Sequence, residues 1–160
     1  MTATVVPSGL DVHAVAPDFE LADQHGESVS LRGILDSGRA ALIVFLPFAF
    51  SGVCTGELQS LNEQRDGLRN DRVETVLVSC DSIYSLRVFA EREQIDFSLL
   101  SDYWPHGEVA RAYGVFAEDR GCALRGSFLV GTDGTIAWRV VNQIPYARDV
   151  GEYLRQIDAL

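Results

Sequence analysis

Seven consecutive residues, Ala40-Ala41-Leu42-Ile43-Val44-Phe45-Leu46, carry no polar side chain, and the run stops at Pro47. A short run rich in Val, Ile, Leu and Phe reads as a strand buried on both faces. Such strands belong to parallel sheets, and helices must cover both sides of those sheets. The following stretch, Phe48-Ala49-Phe50-Ser51-Gly52-Val53-Cys54, contains a glycine and reads as a loop. From Thr55 the period changes. Leu58, Leu61 and Leu68 fall near helical spacing, with Glu57, Gln59, Glu63, Arg65 and Asp66 on other faces. Cys54 therefore opens a helix of about four turns.

The rest of the chain repeats this alternation. Phe19–Leu21 and Val29–Leu31 flank Asp23-Gln24-His25-Gly26 and suggest a β-hairpin. Val73–Ser79 is a second buried strand, and Asp81 or Ser82 can cap a helix whose apolar side is Ile83, Leu86, Phe89 and Ala90. A short strand over 97–100 and a short helix over 106–113 follow. Ser127–Val130 and Thr135–Val141 flank a Gly-Thr-Asp-Gly turn, and a last helix carries Val150, Leu154 and Ile157 behind Asp149. The expected fold is α/β and thioredoxin-like: a central mixed sheet with helices on both faces and an N-terminal β-hairpin extension. Residues 1–14 read as a lead-in segment and 15–160 as one domain.

Composition narrows the chemistry. All 13 basic residues are arginine, so lysine Schiff bases and P-loop lysines are excluded. With 23 acidic residues the net charge is −10, which argues against nucleic acid as a partner. No apolar run approaches a membrane span, and the first nine residues lack the features of a signal peptide, so no membrane association and a cytoplasmic location are expected. Cys54, Cys80 and Cys122 have no C-x-x-C spacing, and His13, His25 and His106 stand apart from them. No metal site and no cofactor are expected.

At a helix N-terminus, free N–H groups and the helix dipole favour thiolate over thiol. On position alone, a packed apolar cysteine fits Cys54 equally well. The neighbours separate the two readings. Pro47, Ser51 and Cys54 have the spacing P-x-x-x-S-x-x-C. The segment P-F-A-F-S-G-V-C-T-G-E-L resembles the peroxiredoxin active-site motif in its serine version. Ala16-Pro17-Asp18-Phe19, Val78-Ser79-Cys80-Asp81-Ser82, Tyr113-Gly114-Val115 and Arg125-Gly126-Ser127-Phe128 are similar to further segments of that family, in the same order. The loop 100–107 and the form of the cysteine motif resemble the one-cysteine alkyl hydroperoxide reductase E type of actinobacteria.

The resemblance implies a thiol-dependent peroxidase acting on hydrogen peroxide, organic hydroperoxides or peroxynitrite. Cys54 would be the thiol that becomes sulfenic acid. Arg125 would orient the peroxide and favour the thiolate. Ser51 would hydrogen-bond thiolate and substrate, or simply cap the helix. Pro47 would limit water access, and the backbone N–H groups of Val53 and Cys54 would complete the cradle. Glu57 stands where a dithiol motif would have its second cysteine. It either holds Arg125 or another arginine, or serves as a carboxylate favoured at a helix start. Cys80 reads as a core thiol. Cys122 reads as an incidental thiol, with a resolving role for either as the alternative. The expected reductant is external: a low-molecular-weight thiol, or a mycoredoxin- or thioredoxin-like protein. A homodimer or higher oligomer is implied by resemblance. His106 and Trp104 read as structural. The competing function is a non-catalytic thioredoxin-like redox sensor or binding partner.

Overall fold

The computed structural model describes residues 8–160. A small antiparallel hairpin comes first, β1 (Glu20–Ala22) and β2 (Ser28–Ser30), where the sequence places one. A helical turn that the sequence reading passed over, α1 (Leu31–Asp36), follows directly, capped by Ser30 Oγ on the Gly33 amide. The buried run forms β3 (Ala40–Phe45), with every residue inside. Then come α2 (Gly52–Glu63), the short α3 (Arg65–Leu68), β4 (Val73–Ser79), α4 (Ile83–Glu93) and β5 (Ser98–Ser101). The second half holds α5 (Glu108–Ala112), a two-residue ladder of β6 (Phe116–Ala117) with β7 (Cys122–Ala123), β8 (Arg125–Val130), β9 (Ile136–Asn142) and α6 (Val150–Asp158).

The central sheet runs β5-β4-β3-β8-β9. β3, β4 and β5 are parallel; β8 is antiparallel to β3, and β9 to β8. Alternation along the strands divides the core. Leu42, Val44, Leu77 and Leu129 face α2, α4 and α6 through Leu58, Leu61, Leu86, Phe89, Tyr153 and Ile157. Ile43, Phe45, Val76, Val78, Phe128 and Val130 face α1 and α5. Each fully buried large apolar side chain contributes about 1.5–3 kcal/mol, which is why this sheet needs cover on both sides. The same alternation turns Arg125 and Ser127 toward the α2/α6 side with Leu129; a one-residue slip would bury them against α5 instead.

Several boundaries differ from the sequence reading: β8 starts at Arg125 rather than Ser127, and α5 is confined to Glu108–Ala112. α2 starts at Gly52 rather than Thr55, because Ser51 Oγ caps it and glycine hides the start. It also ends at Gln64, where α3 begins on a new axis. Of the lead-in, residues 1–7 lie outside the described residues. From Gly9 onward the chain is tied down: Gly9 and Leu10 amides donate to Gly114 and Tyr113, and His13 donates to Ile136. Among the described residues no helix is long and apolar enough to cross a membrane.

Candidate active site

Pro47 is buried at the end of β3 and starts the loop to α2. That loop is held by β4's exit. Asp81 Oδ2 accepts the Ala49 amide at 2.9 Å and the Ser79 hydroxyl at 2.8 Å, so the segment Ser79-Cys80-Asp81 positions its neighbour strand's loop. Ser82, not Asp81, caps α4. Phe50 turns the chain with a left-handed φ of 66° and sets its ring 4.8 Å from Phe89 of α4. Ser51 Oγ then accepts the Cys54 amide at 3.4 Å, and Ser51 O accepts the Thr55 amide at 3.0 Å. Cys54 thus sits in the first turn of α2, its residue 0% exposed, while Val53 is exposed beside it.

Arg125 reaches the sulfur from β8. Its Nη1 donates to Cys54 Sγ at 3.3 Å and also to Glu57 Oε1, while its Nε donates to the Ile144 carbonyl. Gly126 lets β8 come close: a Cβ there would meet Val115 Cγ1 at 2.8 Å, so the glycine after Arg125 is a packing requirement. Glu57 lies one turn after Cys54 and does hold arginine, in fact two. Arg148 donates to Glu57 Oε2 from its backbone N at 2.8 Å and from Nε at 2.9 Å, and to Oε1 from Nη2 at 3.1 Å. Arg125, Arg148 and Glu57 are all buried. Burial alone would push the Glu57 carboxyl up, but the hydrogen bonds and charge of Arg148, joined by the charge of Arg125, hold it below its ordinary value. Two guanidinium charges therefore face one carboxylate charge and one thiol.

Arg148 is the member of this cluster that the sequence reading missed. In Ile144-Pro145-Tyr146-Ala147-Arg148-Asp149 it resembles any surface arginine before a capping aspartate. Its carboxylate partner is 91 residues away, and only the fold brings them together.

The other two cysteines lie outside α2. Cys80 packs in the α1/α5 core layer, on the far side of the sheet from Cys54. Burial, with the Asp102 charge second, pushes its thiol up to about 12. Cys122 is fully buried in β7; burial pushes it up to about 11 against the opposing pull of Arg120, and the Cys54 sulfur adds to the rise. All three cysteines are free. His106 uses Nε2 on the Gly121 carbonyl at 2.7 Å and its ring against Tyr103 and Phe116, a structural post between two loops. Trp104 projects outward, 81% exposed.

A thiol in a helix's first turn, gripped by a buried arginine and loop-held behind a proline, matches a known family along most of the chain. The AhpC/TSA family model covers residues 12–139. This chain belongs to the AhpC/TSA family. Alkyl hydroperoxide reductase E of Mycobacterium tuberculosis is 41% identical over 140 residues, spanning 88% of this chain and 91% of that protein. Peroxiredoxin tpx1 of Schizosaccharomyces pombe is 32% identical over 158 residues, spanning 94% of this chain and 81% of that protein. Among solved structures, AhpC of Enterococcus faecalis superposes with a TM-score of 0.83 at 32% identity, covering 92% of this chain and 90% of that one. The protein is thus a peroxiredoxin with a thioredoxin-like fold, a thiol-dependent peroxidase by family.

Proposed function

We propose that Cys54 is the reacting thiol of a one-cysteine peroxidase, with Arg125, Ser51 and Pro47 as its immediate site and Glu57 and Arg148 as the arginine support. The observation that carries this reading is the 3.3 Å contact of Arg125 Nη1 with Cys54 Sγ inside a buried charge cluster. In its thiolate form, Cys54 Sγ attacks the outer oxygen of a peroxide. The S–O bond forms as the O–O bond breaks. The leaving oxygen departs with the electron pair: from hydrogen peroxide or an organic hydroperoxide it takes a proton to become water or an alcohol, and from peroxynitrite it leaves in nitrite. Arg125 supplies preorganised donors for the charge that moves onto that oxygen. Hydrogen peroxide, organic hydroperoxides and peroxynitrite are the substrate classes. An external thiol then condenses with the sulfenic acid, releasing water and leaving a mixed disulfide. A second thiol frees Cys54. Low-molecular-weight thiols or a mycoredoxin- or thioredoxin-like protein fill this role in a cytoplasmic homodimer.

Support for the external route comes from the other thiols. Resolution of a sulfenic acid requires a thiolate within reach. Cys80 lies behind the sheet, and both Cys80 and Cys122 stay protonated near neutrality, at about 12 and about 11.

Mass spectrometry without reductant, after one equivalent of hydrogen peroxide, tests this. One oxygen on Cys54 and no internal disulfide is the expected result, with sustained peroxide consumption once a dithiol is supplied and none in Cys54→Ser. A Cys54–Cys122 or Cys54–Cys80 link would replace the one-cysteine route. Oxidation of Cys54 without turnover would leave a redox sensor.

A further inference from the structure

Beyond the arginine pair lies a second layer of polar groups. Arg148 spends Nε and Nη2 on Glu57, but Nη1 turns the other way, donating to the Gly126 carbonyl at 2.8 Å and to Ser127 Oγ at 3.1 Å. Ser127 Oγ in turn lies 2.6 Å from Tyr153 Oη, in α6. Ser127 is 0% and Tyr153 1% exposed. Packing does not call for either hydroxyl. The Tyr153 ring already meets the Trp138 ring edge-on at 5.8 Å, and a phenylalanine would do the same. A serine on a central strand, buried among Val44, Leu129 and Leu42, is likewise costly unless its hydroxyl is used.

We propose that Ser127 and Tyr153 are positioning residues for the peroxidase reaction: they fix the plane of Arg148, and through Glu57 they decide how much of Arg125 is left for Cys54. This rests on the reading of Cys54 as the reacting thiol. The physical link is competition for donors. Glu57 has two oxygens and two arginines. While Arg148 is held in plane, it saturates Oε2 and shares Oε1, and Arg125 Nη1 can divide itself between Oε1 and the sulfur. When Nη1 of Arg148 loses its hydroxyl acceptor, the guanidinium pivots about Gly126 O. Glu57 then leans harder on Arg125 and draws it off the sulfur. Burial pushes the Tyr153 phenol up, so it stays neutral and serves as a dipole rather than a charge. Helix α6, which contributes no group to the sulfur itself, is thereby wired to it over four hydrogen-bonded side chains.

The test is the second-order rate of Cys54 oxidation by hydrogen peroxide as a function of pH, in Tyr153→Phe, Ser127→Ala and the double variant. The expected outcome is a rate near neutrality lower by roughly three- to tenfold, the size of one hydrogen bond. The pH midpoint of the reaction is expected to move upward by about half a unit as the cation withdraws. The double variant should be little worse than the poorer single, because one chain of bonds is being cut twice. Ser127→Thr and Ser127→Val share a shape, so their difference reports the hydroxyl alone and holds even if Ser127→Ala loosens the core. Thr should keep the wild-type midpoint and Val should lose it. A lowered rate with an unmoved midpoint, or Thr and Val behaving alike, would overturn the proposal. If instead Cys54→Ser retained peroxidase activity, the reading of the site itself would be wrong, whatever the Ser127 and Tyr153 variants do.

Discussion

Glu57 carries two arginines on two oxygens, and that ratio sets its behaviour. A lone carboxylate one turn from a thiolate would repel it. Here the carboxylate is outnumbered, so it serves as the mount for Arg125 rather than as a competing charge. Its carboxyl is held below the ordinary value of about 4.3, against the opposing effect of burial. The sign of the stability effect follows. A depressed folded-state value contributes stability above the unfolded value, and that contribution is lost as pH falls through the folded one. Glu57→Gln removes the contribution and leaves two buried guanidiniums short of a counter-charge. The expected cost is about 3–5 kcal/mol at neutral pH, the range for breaking a buried pair. Below about pH 4.3 the gap between wild type and variant should narrow, because the wild type alone pays a protonation cost there. Urea unfolding at neutral pH and at steps into acid measures this. A gap that stays constant across the acid range would show that Glu57 is not held below its ordinary value.

At the scale of elements, the loop from β3 to α2 is anchored at Ala49 by Asp81 and at Phe50 by an aromatic ring. Phe50 adopts a left-handed backbone, which costs a non-glycine residue about 1–2 kcal/mol. Its ring offsets this by lying against Phe89, with the Arg92 guanidinium 5.9 Å from its centre on α4. An aromatic pair contributes about 0.5–1.5 kcal/mol beyond the area it buries. Phe50→Ala keeps the strained turn and loses the anchor, so amide hydrogen exchange across residues 51–55 should quicken by roughly three- to tenfold. Phe50→Gly removes strain and ring together and should quicken it less. Equal exchange in all three proteins would show that the ring does not hold the loop. Much of this local order is legible in the chain itself. Continuous apolar runs give β3 and β4, and the spacing from Pro47 to Cys54 gives the loop and its thiol. Ser127–Val130 gives most of β8, and the family resemblance of Arg-Gly-Ser-Phe points to the arginine before it. What stays hidden is of two kinds. Short elements such as α1 and the β6–β7 ladder carry too few periods to read. Residues such as Arg148, Ser127 and Tyr153 acquire their roles only from partners 21 to 91 positions away. Hydrophobic pattern reports which side faces the core, and says nothing of which buried polar groups meet there.

For the molecule as a whole, the parallel order of β3, β4 and β5 sends three connections out of the same end of the sheet. Those connections carry an unusual share of exposed apolar residues: Phe48, Phe50 and Val53 after β3, Tyr84 and Val88 on α4 after β4, Tyr103 and Trp104 after β5. Trp104 is 81% and Tyr84 72% exposed, and a single chain gains nothing from leaving such rings in water. Phe48, Phe50, Tyr103 and Trp104 follow the ends of β3 and β5 on the side where α2 begins, and Tyr84 lies in the first turn of α4. A second copy of the chain is the occupant that the proposed homodimer supplies, and it must bury about 1,200–2,000 Å² in total to be stable. Net charge works against it. Each copy carries −10, so two copies repel at long range. Apolar contact and charge repulsion make opposite predictions for salt, and that separates them. Raising salt to about 1 M shortens the Debye length to about 3 Å and should remove the repulsion while leaving apolar contact intact. Sedimentation velocity should therefore show a dimer that tightens with added salt, and Trp104→Glu should shift it toward monomer. A wild-type protein that sediments as monomer at every concentration and salt would sink the idea. A dimer that loosens with salt would place the contact on charged residues instead of this aromatic end.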